Sequence, residues 1–149
     1  MNDSPATTPI SKESMSKAVS DLAMLLRSME PELHTGVYVY CVAPHGTDLS
    51  ALSPVATVVE SEGLTLILPE AQAVQAGFTV LFSAAWITLT VHSDLQAVGL
   101  TAAFATALGQ AGISCNVVAG AYHDHIFVPV EQAQPALAAL KALQQTSAP

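Results

Sequence analysis

A helix without a single charged side chain, fenced by strands on both sides, restricts this chain more than any other feature. It lies in residues 86–130, WITLTVHSDLQAVGLTAAFATALGQAGISCNVVAGAYHDHIFVPV. Trp86, Thr88 and Thr90 alternate with Ile87, Leu89 and Val91, as a half-buried strand requires. From Gly99 the period changes, and Leu100, Ala103, Phe104, Ala107, Leu108 and Ala111 fall on one helical face. Gly112 sits where a helix commonly ends in a left-handed residue. Ile113 to Val118 returns to strand, Ala119-Gly120 supplies a turn, and Tyr122 to Val130 forms a further strand. The stretch thus reads as strand, loop, helix, strand, turn and strand.

The loop between the first strand and the helix runs His92-Ser93-Asp94-Leu95-Gln96-Ala97-Val98-Gly99. No Ser, Thr, Asp or Asn stands immediately before Gly99, so the helix lacks a strong cap of its own. The first backbone N–H groups of a helix have no intrahelical partner, and the helix dipole concentrates partial positive charge there. Such an end, reached through a glycine, holds a carboxylate or phosphate, while Asp94 or Ser93 meets an amine. The competing reading is local: Gly99 relieves crowding, and Ser93 and Asp94 only build a turn.

TLTVHSDLQAVGLTAAFATALGQAGISCNVVAG followed by HDHIFVPV resembles an ACT domain of the aspartokinase-like type. The likeness includes the strand Gly112-Ile113-Ser114-Cys115-Asn116 after the helix, and over about residues 15–143 the chain is similar to small stand-alone proteins with two ACT-like halves. Their architecture is related to the ACT pairs of aspartokinases and of CASTOR-type arginine sensors. The resemblance implies an α+β, ferredoxin-like fold, two βαββαβ-type halves with antiparallel sheets, and regulatory binding of an amino acid or similar small metabolite between ACT units. It implies no catalysis and no cofactor. The ligand set expected from it is His92, Ser93, Asp94, Leu95, Val98, Gly99 and Leu100, with Asn116 fixing orientation from the next strand. Gly99→Val is expected to abolish ligand stabilisation and leave the fold intact. A homodimer paired through sheet edges would place this loop at an interface.

Composition narrows the partners. Of 149 residues, 51% are hydrophobic and 11% charged, so much apolar surface has to be hidden, some of it between subunits. The net charge is −8, and the four basic residues, Lys12, Lys17, Arg27 and Lys141, lie far apart. Nucleic acid and anionic membrane surfaces, which need clustered Lys and Arg, are disfavoured. Residues 71–91 carry no charge, yet Gln72, Gln75, Gly77, Thr79 and Ser83 interrupt them, and a buried helix–strand run fits better than a membrane span. Cys41 and Cys115 fall inside predicted strands and read as free thiols of a reducing, cytoplasmic compartment. No hydrophobic segment suited to a secretory signal opens the chain.

The expected division is a tail over 1–14, an N-terminal ACT-like half over 15–83, a C-terminal ACT domain over 84–145 and a frayed end over 146–149. An amphipathic helix carries Val19, Leu22, Leu25, Leu26 and Met29, capped by Ser14 or Ser16 and ended by Glu30-Pro31. Strands follow at 37–42, 55–60, 64–68 and 78–82, with a short helix between Pro69 and Gly77 and a surface loop over 43–54. Tyr38 and Tyr40 share one strand face, where they line a cleft or merely cover the sheet. LTLILPEAQA at 64–73 is echoed by HIFVPVEQA at 125–133, a strand that meets proline and turns into an Ala/Gln helix. No Gly-opened helix follows the first strand of the N-terminal half, so one ligand loop per chain is expected.

Two rival chemistries draw on the histidines. His92, Asp94, His123, Asp124 and His125 suit zinc by ligand type, though not by any zinc-motif spacing. A hydrolase would use Ser93 or Ser114 with His92 or His123, but no Gly-x-Ser-x-Gly elbow is present. A purely structural role would rest on the uncharged helix, whose polar residues are only Thr101, Thr106 and Gln110 and which is expected to be covered on more than one side.

Overall fold

The computed structural model describes residues 21–147. Residues 21–28 are helical (α1). They are followed by β1 (Pro31–Leu33), β2 (Tyr38–Ala43), β3 (Ala56–Val59), β4 (Leu64–Pro69) and α2 (Glu70–Gln75). Then come β5 (Phe82–Leu89), α3 (Leu100–Gln110), β6 (Asn116–Ala119), β7 (Asp124–Pro129), a 3₁₀ turn (Val130–Gln132) and α4 (Ala133–Thr146). The expected tail over 1–14, Val19 and the Ser14 or Ser16 cap lie outside the described residues.

All seven strands join one antiparallel sheet in the order β3-β4-β2-β5-β7-β6, with β1 also on β5. β2 and β5, equivalent strands of the two halves, meet in the centre. Tyr38 pairs with both Pro69 and Ala84, and Ala84 pairs with both Tyr38 and Pro129. A pseudo-twofold axis therefore passes between Tyr38 and Ala84. The echo seen in the sequence is real in the backbone: Pro69 (φ −56°, ψ 136°) and Pro129 (φ −51°, ψ 134°) turn the chain alike out of β4 and β7.

The halves differ where the site is expected. The second half places α3 between its first two strands, whereas the first half has an irregular loop over 44–55. Leu49 and Leu52 of that loop pack against Val39, Cys41, Leu66 and Leu68, filling in for the missing helix. Ala85, Ile87, Leu89, Ile126 and Val128 form the apolar face that α1, α3 and α4 cover with Leu26, Phe104, Leu108, Ala136 and Leu140, joined by Met29 just after α1. Phe104, Phe127, Met29 and Leu108 are fully buried.

Several element boundaries differ from expectation. The strands read at 78–82 and 86–91 are one strand, Phe82–Leu89. Ala84 and Ala85 are its buried middle, not a link. β1 follows the first helix where only a helix end was expected. Pro69 caps α2 from outside instead of opening it. Gly112 behaves as read: at φ +72° it lets Ile113 N–H reach Leu108 O (2.9 Å) and Gly112 N–H reach Gly109 O (3.0 Å), while Ile113 joins Leu108 in the core. Within the single chain helix α3 buries one face, through Leu100, Phe104 and Leu108, and Thr101, Ala102, Thr106 and Gln110 stay exposed. Among the described residues no helix is long and apolar enough to cross a membrane.

Candidate functional site

The N-terminus of α3 is open. Its cap residue Gly99 stands at φ +106° in the left-handed region, and no side chain among the described residues caps the helix. A Cβ on Gly99 would lie 2.9 Å from Leu22 Cδ2, so α1 packs against this residue and the Leu22 side chain would have to shift, while the positive φ itself favours glycine. Gly99→Val is therefore not the clean ligand probe expected from sequence, because it strains the backbone and collides with α1.

The preceding loop folds on itself. Gln96 N–H donates to Asp94 Oδ1 (2.9 Å) and Ala97 N–H to Asp94 O (2.9 Å), so Asp94 builds the local turn. Ser93, Asp94, Leu95, Ala97, Leu100, Thr101, Ala119 and Asp124 enclose a hollow of about 60 Å³ against the helix end. A wider one of about 440 Å³ opens beside it, lined by His92, Asp94, Leu95 and Ala121. His92 faces the Tyr122 ring with centroids 5.6 Å apart. Val98 projects into solvent, 88% exposed, and lines neither hollow. Leu100 is buried in the core.

Asn116 is elsewhere. It pairs with Phe127 on the helix-free side of the sheet, where its Nδ2 donates to Phe127 O (3.3 Å). There it lines a trough of about 660 Å³ with Tyr40, Val58, Ile67 and Phe82. The structure does not bring it to the loop. Tyr40, half inserted into that trough, has its hydroxyl pushed up to about 12 by burial.

Asp124 is the residue that sequence reasoning placed wrongly, among potential metal ligands. It is 8% exposed, sits opposite Leu89 on the helix-covered face, and looks into the small hollow. Burial raises its carboxyl above the ordinary value, with His125 and His123 pulling the other way. A lone acid in register with the core residues Ile126 and Val128 was the available signal. In the first half the equivalent position is Leu64, paired with Ala43 as Asp124 is with Leu89's strand.

The rival constellations do not assemble. Among the described residues no three His, Cys, Asp or Glu side chains converge closely enough to hold a metal ion. His123 Nδ1 lies 3.4 Å from Val91 O, and among the described residues neither Ser93 nor Ser114 is hydrogen-bonded to a histidine. Cys41 and Cys115 are both free.

Two ACT domain models match in tandem, over residues 17–85 and 82–142. A protein of unknown function from Vibrio cholerae, a possible transport protein, is 53% identical over 86% of this chain and 99% of its own, with a TM-score of 0.78. A protein from Agrobacterium tumefaciens shares the fold at 14% identity and a TM-score of 0.62, over 78% of this chain and 89% of its own. The ligand-free regulatory subunit of aspartate kinase from Thermus thermophilus does so at 11% identity and a TM-score of 0.56, over 76% of this chain and 95% of its own. Among curated proteins none matches. Tandem matches, the identity to the Vibrio protein and the paired halves lead to one assignment: the chain belongs to the ACT-domain family of regulatory ligand-binding modules.

Proposed function

We propose that the chain is a non-catalytic sensor of an amino acid or similar small metabolite, held at the α3 end of its second half. The observation that carries this reading is one hollow in which the uncapped start of α3, at Leu100 and Thr101, faces the buried carboxylate of Asp124. An α-amino acid offers the complementary pair. Its carboxylate suits the free amides and dipole of the helix end, and its ammonium suits Asp124, whose charge burial disfavours. The side chain would then extend into the hollow beside His92 and Ala121. Asp94 and Leu95 line both spaces, and Ser93 lines the smaller one.

One such site per chain follows from the pseudosymmetry, since the first half has Leu64 in place of Asp124 and a loop in place of α3. The exposed Leu95, Val98 and Tyr122 around the opening suit coverage by a second copy, which makes a homodimer the working assembly. Screening the twenty amino acids by thermal shift and titrating the hits calorimetrically tests the reading. A raised melting temperature for wild type that is lost in Asp124→Asn supports it. A melting temperature that none of them moves removes it.

A further inference from the structure

The face of the sheet that no helix covers carries one aromatic slot that the chain fills and an equivalent one that it leaves open. The pseudo-twofold axis relates Tyr38 to Ala84, so Tyr40, two residues on, corresponds to Trp86, and their partners Ile67 and Phe127 correspond as well. Each carbonyl receives an N–H from the adjoining segment, Leu81 N–H to Tyr40 O and His34 N–H to Trp86 O, both at 2.9 Å. At Trp86 the donor residue also supplies a ring. The His34 imidazole stacks on the indole with centroids 3.6 Å apart and planes 10° from parallel, and its Nε2 lies 2.7 Å from Thr88 Oγ1. At Tyr40 the donor residue is Leu81, which has no ring and is 65% exposed.

No ring among the described residues stacks on Tyr40. Phe82 and Phe127 meet it at 69° and 85°. Among the described residues its hydroxyl makes no hydrogen bond, and burial keeps the proton on it, so it stands as a donor. The ring borders the trough of about 660 Å³, a size that suits a small organic ligand. Val42, the counterpart of Thr88, lies in this trough, and Val58, Ile67, Leu81 and Val118 make its walls apolar. Asn116 donates one N–H to Phe127 O and keeps its Oδ1 as an acceptor. Glu60 is the single charged side chain among the described residues along the trough, so an anion is repelled.

We propose that the trough over Tyr40 is a second ligand site, which takes an uncharged planar nitrogen heteroaromatic from outside where the other half takes the ring of His34. The chain's own ring sets the pattern. Burial holds His34 below the ordinary histidine value, against the pull of Glu32, so the ring stacked on Trp86 is neutral at neutral pH. Stacking on Tyr40 favours any flat ring, and the Tyr40 hydroxyl and Asn116 Oδ1 select one whose edge carries an acceptor and a donor. The site lies on the opposite face of the sheet from the α3 hollow and stands whether or not an amino acid binds there.

Titrating the isotope-labelled full chain with nicotinamide and, separately, with uracil tests this by two-dimensional NMR. With at least one of them at millimolar concentration, the Asn116 side-chain amide and the Val58 and Val118 methyls are expected to shift, while Thr101 and Ala119 beside the α3 hollow stay still. Nicotinate, the ring of nicotinamide made anionic, and cyclohexanecarboxamide, an amide on a ring that is not flat, should each bind at least tenfold more weakly. Tyr40→Leu keeps an apolar side chain and should abolish the shifts. Should it not fold, Val58→Trp, which fills the trough from a half-exposed position, should abolish them instead. No shift at Asn116 with either probe, equal binding of either control, or shifts that survive the substitution overturn the proposal.

Discussion

Asp124 and His125 are neighbours on β7 whose side chains stand on opposite faces of the sheet. Asp124 pairs with Leu89 and faces the helices, and His125 pairs with Thr88 and meets Trp86 on the uncovered side. Strand alternation thus assigns two adjacent ionisable groups to two separate environments. A proton gained by one is felt by the other, its immediate chain neighbour.

Replacing Asp124 by Asn separates ligand binding from stability. Burial raises the folded carboxyl above 3.8, so the folded chain holds this proton to higher pH than the unfolded one. Stability from the protonated form is present in acid and lost as pH rises through the raised value. At neutral pH the charged group is a burden, and Asp124→Asn should melt higher than wild type without ligand. The gap should close near the ordinary carboxylate value. Melting curves at neutral and acid pH check both parts.

The histidines act in the opposite sense. His34 and His125 have folded values below 6.5, so the unfolded chain binds their protons first. Their contribution is complete above 6.5 and is lost as pH falls towards the lowered folded values. Urea midpoints should therefore drop between neutral and mildly acid pH, and the drop should be smaller in His125→Asn.

Gly99→Ala is expected to cost roughly 1–2 kcal/mol from the left-handed backbone alone. Contact with Leu22 adds to it, since the new methyl would lie 2.9 Å from Cδ2. Combining it with Leu22→Ala should give a loss smaller than the sum of the two single changes, as expected for residues in contact. Chemical denaturation of the four proteins measures that coupling.

Phe104→Ala should be the more damaging core change. Phe104 is fully buried between α3 and the β5–β7 face, and truncating such a ring costs about 3–5 kcal/mol through lost burial and the cavity left behind. Its effect should appear in ligand-free protein and at every pH tested, which distinguishes it from Asp124→Asn.

Local chemistry was legible in the sequence, and face assignment was not. Gly112 announced its helix end, and Pro69 and Pro129 announced two matching strand-to-helix turns, because each acts through its own backbone. β1 escaped notice because Pro31-Glu32-Leu33 has no pattern of its own and is a strand only by pairing with β5. Ala84-Ala85 read as a link because alanine has little strand propensity, yet their small size suits the crowded centre between β2 and β7. Of the candidate site, the open α3 end could be read from the missing cap. Asn116 and Asp124 were misplaced because their positions depend on which face of β6 and β7 they occupy, a matter of register between distant segments.

The sheet stops at β3 on one side and at β6 on the other, and Val59 near the first rim is 78% exposed. Two copies joined through one identical rim stop at a pair when the other rim is shielded. Copies joined by unlike rims leave a fresh margin at every addition and extend without limit. Whichever rim is shielded thus separates a finite particle from a fibre.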